Sequence, residues 1–307
     1  MKLEKIVDGP KIDGVILDIE TTGLSAKVNH ISSIGLLLDY MGQNKFIFLF
    51  AEEGEEKEIL EEFLEIINSI KPIISFNGQN FDLPFIKKRL EILNISYQSN
   101  LTENNFDLYQ YLRSYSKITD FKISGLKSLE KENNLERPFE MTGKDQIKLY
   151  KTYLKTKDKE ILDRLFTYNF YDLYHLNKLL YLKEKIDLLR KVEGFFIESY
   201  KVSRGNLIIE LTSPEKYKNI EANFSYPLCS FYTNGDGRFL LKINIEEGYF
   251  DNENIGYSID NKFFKLENKS DFTQISENYL PVIFEKKYIN ENIFQLVEKV
   301  IKISGLV

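Results

Sequence analysis

The chain has 307 residues, 43% of them apolar and 29% charged, with 19 Tyr, 23 Phe and no Trp; this suits one large or two ordinary globular domains and excludes a mostly disordered chain. Its 41 Lys and Arg against 47 Asp and Glu leave a net charge of −6, which excludes a protein that holds nucleic acid by an overall basic charge. The single cysteine, Cys229, rules out an intrachain disulfide framework and a cysteine-built zinc site.

Residues 1–14 are charged and lack the apolar core of a signal peptide, and no 18-residue apolar run occurs, so a soluble cytoplasmic protein without a membrane partner is expected. Residues 15–20, VILDIE, predict a buried central strand whose far end carries two acids. Strand-like runs follow at 31–39 and 45–50. Then come a helical period at about 55–68, with Ile59, Phe63, Ile66 and Ile67 on one face, a short strand at 72–76 and a second helix at 82–93. That order predicts an α/β arrangement around a mixed sheet.

From 106 to 190 the pattern is almost wholly helical. After Gly194 it changes to short alternating runs at 195–200, 207–211, 239–245 and 257–266, separated by Asn-Gly, Asp-Gly and Asp-Asn turn signals. A boundary is expected between a 1–190 domain and a smaller, β-rich (α+β) domain at 191–307, whose role the sequence does not give. Charge does not mark it, since 27 basic and 30 acidic side chains precede it and 14 and 17 follow.

Three runs carry chemistry. Asp18 and Glu20 lie two apart on a strand, so both carboxylates point to one face, just before the tight-turn sequence Thr21-Thr22-Gly23-Leu24. Burying two acids side by side needs a cation or a proton. In the second run, Asn77-Gly78-Gln79-Asn80-Phe81-Asp82-Leu83-Pro84-Phe85, an Asn-Gly turn ends a strand and Asp82 opens a helix, where capping alone would also explain it. In the third, Tyr168 and Asp172 are four apart on one helix face, which His175 continues. An Asp beside Leu165, Leu173 and Leu176 asks for a metal, a base or an N–H donor. With His30 and His175 as the only imidazoles, any metal would rest mostly on oxygen, which favours magnesium, manganese or calcium. Lys148, Lys151, Lys155 and Lys157, interleaved with Tyr150 and Tyr153, fit either a groove for a nucleic-acid strand or a solvated helix face with its tyrosines turned inward.

In order, these runs resemble the three exonuclease motifs of the DEDD superfamily of 3′→5′ exonucleases, which has a ribonuclease H-like fold. Tyrosine four before the last aspartate, with Thr167 where another branch has histidine, is similar to the DEDDy branch. Residues 77–84 resemble the second motif of family-B DNA polymerase proofreading domains. The spacing through Leu126-Lys127-Ser128-Leu129-Glu130 is closer to the YprB-type predicted exonucleases of bacteria. The likeness covers about residues 12–185.

The resemblance implies a mixed five-stranded sheet flanked by helices. It also implies a site with two Mg²⁺ or Mn²⁺ ions, Asp18 bridging both, Glu20 and Asp172 completing one and Asp82 the other. Tyr168 would orient the attacking water, Leu24 would press on the 3′-terminal base, backbone groups near Thr21 and Thr22 would hold the terminal hydroxyl, and Asn77 would lie beside the entering strand. His175 stays outside the catalytic set. The expected activity is hydrolysis of a single-stranded DNA or RNA partner from its 3′ end, releasing nucleoside 5′-monophosphates. An endonuclease on the same fold, or a non-catalytic nucleic-acid-binding or scaffold protein, would also fit.

Overall fold

The structure, a computed structural model, describes residues 1–68, 70, 72–97, 101, 103, 105–250, 254–272 and 275–307. They divide into two compact units, 1–113 with 123–183, and 114–122 with 184–307. Among the described residues, no helix is long and apolar enough to cross a membrane.

In the first unit β1 (Lys2–Val7), β2 (Val15–Thr21), β3 (Ile31–Tyr40), β4 (Gln43–Phe50), β5 (Ile73–Ser75) and β6 (Phe106–Asp107) form a mixed sheet in the order β1-β4-β3-β2-β5-β6. The pairs β1–β4, β4–β3 and β3–β2 are antiparallel, whereas β5 runs parallel to β2 and β6 to β5. The described residues thus give six strands where five were expected. The runs read from the sequence cover β2 to β5; β6 falls where the pattern is helical, and the charged, exposed residues of β1 conceal a strand that pairs with β4 at the sheet edge. Helices α1 (Glu56–Ile67), α2 (Asp82–Ile92), α3 (Leu108–Thr119), α4 (Leu126–Glu132), α5 (Gly143–Thr156), α6 (Lys159–Leu179) and α7 (Tyr181–Leu189) account for the helical periods, the later parts of α3 and α7 belonging to the second unit.

Strand alternation divides the sheet into two unlike faces. Val15, Leu17 and Ile19 of β2 join Ile34 and Leu36 of β3, Ile59 and Phe63 of α1 and Leu83 and Ile86 of α2 in one apolar core. Asp18 and Glu20 therefore point to the opposite face, on which α6 packs against β2, β3 and β4. Aromatic rings seat the helices there: Phe46 and Phe48 meet Phe166 edge-on at 5.1 and 5.6 Å, and Phe50 meets Tyr150 and Tyr153 at 5.6 and 5.1 Å. Each such pair adds about 0.5–1.5 kcal/mol beyond the area it buries.

The approach of α6 to β2 requires a glycine. Gly35 lies opposite Asp18 on β3, and a Cβ there would fall 1.9 Å from Asn169 Oδ1 and 2.8 Å from Leu173 Cδ1. Both belong to fully buried residues that have no room to move aside.

The second unit contains an antiparallel sheet in the order β10-β11-β12-β9-β8-β7, built from β7 (Lys191–Val192), β8 (Phe195–Ser203), β9 (Asn206–Thr212), β10 (Glu221–Ser225), β11 (Cys229–Asn234) and β12 (Arg238–Asn244). A smaller antiparallel sheet follows, β13 (Glu246–Tyr249), β14 (Ile255–Asp260), β15 (Tyr279–Phe284) and β16 (Lys287–Tyr288), and then α8 (Asn290–Ile303). Phe195, Ile209, Phe231 and Leu241 of the larger sheet share a core with Val282 and with Ile293, Leu296 and Val300 of α8. Residues 184–190, which the sequence pattern joins to the preceding helices, pack with this unit, where Arg190 bonds Asp187 at 2.7 Å and Glu198 at 2.9 Å. The alternating run at 257–266 is a strand only to Asp260, because the Asn261 side-chain amide donates to Leu266 O at 2.8 Å and Glu277 O at 3.1 Å and folds the rest into a loop.

Replacing Gly35 with alanine should lower stability by about 2 kcal/mol through overpacking. A thermal melt would show it as a fall of several degrees; an unchanged Tm would mean that α6 does not need the glycine.

Candidate active site

Asp18 and Glu20 on β2 and Asp172 on α6 come together so that one carboxylate oxygen from each lies within 4.8 Å of the others. Burial first, then Asp172, Asp82 and Glu20, push the Asp18 carboxyl well above its usual range. Glu20 rises in the same way, through burial and the charges of Asp172 and Asp82. Asp172 is raised by burial despite the opposing pull of Arg137. Three acids that resist ionisation together make a site short of positive charge.

Asp82, the fourth acid expected here, opens α2 but does not cap it. Its Oδ1 accepts the Ile19 N–H at 3.0 Å, from a part of β2 beyond Val15 and Ile16, the two residues in register with β5. The carboxyl is thereby tied to the backbone between Asp18 and Glu20. Burial, opposed by that hydrogen bond, pushes it up to about 7. The loop before it is held from below by buried Asp107, whose two oxygens accept the N–H groups of Asn77 at 2.8 Å and Gln79 at 3.0 Å.

Several partners of the acids escaped sequence reasoning. Asn169 donates to Asp18 Oδ2 at 2.8 Å. Arg137, on the segment between α4 and α5, donates from Nη2 to Asp172 Oδ1 at 2.7 Å and from Nη2 and Nε to the Glu130 oxygens at 2.5 and 2.8 Å. Glu130 also lies 3.3 Å from His175 Nδ1. Burial would raise Glu130, but His175 and Arg137 beside it hold its carboxyl below the usual range. Asn169 and Glu130 fall in the runs of the resemblance, yet no spacing rule marks Arg137.

Burial, and then the charges of Asp172, Glu20 and Asp18, push the Tyr168 phenol far up, so it keeps its proton near neutral pH. Its ring lies 5.4 Å from Lys127 Nζ and 5.5 Å from Arg137 Cζ. Leu24 is 87% exposed in the turn after β2. Thr21 Oγ1 donates to Gly23 O at 2.9 Å, and the Thr22 N–H is already bonded to His30 O at 3.0 Å. Asn77 Oδ1 accepts from Asn80 Nδ2 at 3.0 Å. Along α5 the lysines are exposed while Tyr150 and Tyr153 are buried, their hydroxyls reaching Ala51 O at 3.0 Å and Glu52 Oε1 at 3.2 Å. The inward-turned tyrosines leave that face without stacking rings.

Residues 15–183 match the sequence pattern of the RNase_H superfamily (RNase_H_2). This chain belongs to that superfamily. It is also 30% identical to DNA polymerase 1 of Aeropyrum pernix over 44% of this chain and 16% of that protein. To the catalytic polypeptide of DNA polymerase epsilon from Aspergillus fumigatus it is 30% identical over 33% of this chain and 6% of that one. The chain therefore spans only a small part of the relatives it matches. The family B DNA polymerase of Pyrobaculum calidifontis matches in structure with a TM-score of 0.43 and 15% identity, over 62% of this chain and 29% of that chain.

The RNase H fold implies divalent metal, and the donor set fits one. Every candidate ligand is a carboxylate oxygen, the choice of a hard cation, and Asn169 and Arg137 occupy one oxygen each of Asp18 and Asp172, leaving the second for a ligand. The pKa shifts give the fit a sign. Asp82 rises from 3.8 to about 7, so between about pH 4 and about pH 7 the metal-free folded chain binds more protons than the unfolded one. Its contribution is whole below about pH 4 and is lost as the pH rises through about 7, on the order of 4 kcal/mol. Calorimetry in chelator should show Tm falling from about pH 5.5 to about pH 8, and added Mn²⁺ or Mg²⁺ should raise it more at the higher pH. A metal-induced shift that is equal at both pH values would contradict this.

Proposed function

We propose that the chain is a divalent-metal-dependent 3′→5′ exonuclease of the DEDDy type, similar to the YprB-type enzymes, acting on single-stranded DNA or RNA and releasing nucleoside 5′-monophosphates. The observation that carries the reading is the convergence of Asp18, Glu20 and Asp172 from a strand and a helix far apart in the chain. In the proposal these three and Asp82 hold two Mg²⁺ or Mn²⁺ ions. Bound, such ions neutralise the acids, lower the pKa of a water and offset charge on the phosphate during in-line displacement.

The remaining roles fall to the chain's own groups. Tyr168 keeps its proton and is therefore a hydrogen-bond donor that orients the attacking water, not a base. Asn169 fixes the Asp18 carboxylate, and the Ile19 N–H fixes Asp82. Exposed Leu24 is free to meet a terminal base, and Asn77, at φ 65°, turns the loop that would flank the strand. Because the Thr22 N–H is engaged by His30, backbone capture of the 3′ hydroxyl falls to the groups near Thr21. We assign this activity to the first unit; the second, which includes residues 191–307, carries none of these groups.

Purified protein with Mg²⁺ or Mn²⁺ should shorten a 5′-labelled single strand to a ladder. Asp18→Ala or Asp172→Ala should slow this by more than about 100-fold, and Tyr168→Phe should lower kcat by about tenfold or more with little change in KM. Cleavage of closed circles would make it an endonuclease. Uncut DNA and RNA across both metals would leave a non-catalytic binding or scaffold protein, and wild-type rates in both aspartate variants would remove the site assignment.

A further inference from the structure

Arg137 is held unusually well for a side chain in a loop. It is 8% exposed, and its Nε–H and one Nη2–H form a fork onto the two oxygens of Glu130, which is itself buried against His175. The second Nη2–H reaches Asp172 Oδ1 at 2.7 Å. In a planar guanidinium the hydrogen left on Nη2 after such a fork lies on the edge shared with Nη1, so one Nη1–H runs parallel to it, toward the side where Asp172 sits. Nη1 is buried and has no hydrogen-bond partner among the described residues. A buried charged donor left unmatched is costly, and such groups call for a specific explanation.

We propose that Arg137 is a substrate-binding catalytic residue, its Nη1–H donating to a non-bridging oxygen of the phosphodiester that lies against Asp18, Glu20 and Asp172, while Nη2 keeps Asp172 in place. This rests on the nuclease reading. The ligand must be anionic and rich in acceptor oxygens, because the donor is a permanent cation beside carboxylates that are already partnered. Glu130 fixes the guanidinium before substrate arrives, so the contact needs no reorganisation as charge shifts on the phosphate. The same anchoring separates Arg137 from the exposed lysines of α5, whose compact ammonium groups offer no planar fork.

The test compares the wild type with Arg137→Lys, which keeps the charge but not the second N–H of the edge. Because Nη2 also holds Asp172, Mn²⁺ affinity is read by electron paramagnetic resonance for each protein and the strand assays are run at saturating Mn²⁺, so that any loss of metal is separated from loss of the phosphate contact. kcat/KM on a 5′-labelled strand should fall by about 30-fold or more. The preference for a phosphodiester over a neutral methylphosphonate at the 3′-terminal linkage should fall by about tenfold relative to wild type. An undiminished preference would overturn the proposal while leaving the nuclease reading intact. A second measurement needs neither the variant nor activity: in crystals of the wild-type protein soaked with thymidine or uridine 5′-monophosphate and Mn²⁺, a phosphate oxygen should lie within hydrogen-bond distance of Nη1. A phosphate bound at the acids with Nη1 on water or protein alone would refute the contact, and wild type that neither cuts nor binds any strand would fail the nuclease reading instead.

Discussion

Asp18, Glu20 and Asp172 bring three like charges within 4.8 Å, and the repulsion among them is what the rest of the first unit is arranged to withstand. Two of the acids are fixed by one strand, whose alternation sends both to the same face, and whose other face is locked into an apolar core. The third is fixed by α6, which the Phe46, Phe48 and Phe166 rings and the absence of a side chain at Gly35 bring down onto the sheet. The acids cannot separate without unpacking that core, so they meet the repulsion by holding protons or by taking up cations.

The groups around them supply part of the compensation. Asn169 and the Ile19 N–H donate to Asp18 and Asp82, and Arg137 donates to Asp172. These donors orient the carboxylates without removing the imbalance, because the one charge of Arg137 is shared between Asp172 and Glu130. What is left is a partly buried, oxygen-lined site with unmet demand for positive charge, next to a protonated Tyr168. In this setting a net charge of −6 no longer argues against a nucleic-acid partner, since cations bound at the site would reverse its local sign.

Much of this was legible in the sequence because it depends on period. The alternation of VILDIE announced a central strand with two acids on one face, and the four-residue spacing of Tyr168 and Asp172 put them on one side of a helix. The charged strand β1 was not legible, since at a sheet edge only Leu3 and Val7 are even half-buried. Nor was α8, although Ile293, Leu296, Val297, Val300 and Ile301 have helical spacing; it follows a run of strands that set the expected texture. The partners of the acids were the hardest to see. Arg137 and Glu130 meet through a loop, and Asp107 supports the Asn77 turn from a two-residue strand. Contacts of that kind are made by tertiary packing and leave no periodic trace.

The central claim is that the acids of β2 and α6 form a cation site. Anomalous diffraction from crystals of the wild-type protein soaked in Mn²⁺ tests it most directly. The account predicts at least one Mn²⁺ peak bonded to oxygens of Asp18, Glu20 and Asp172, absent in the Asp18→Ala protein. A saturating soak that leaves these three carboxylates without an ion, or that places the ion on other residues, would contradict it.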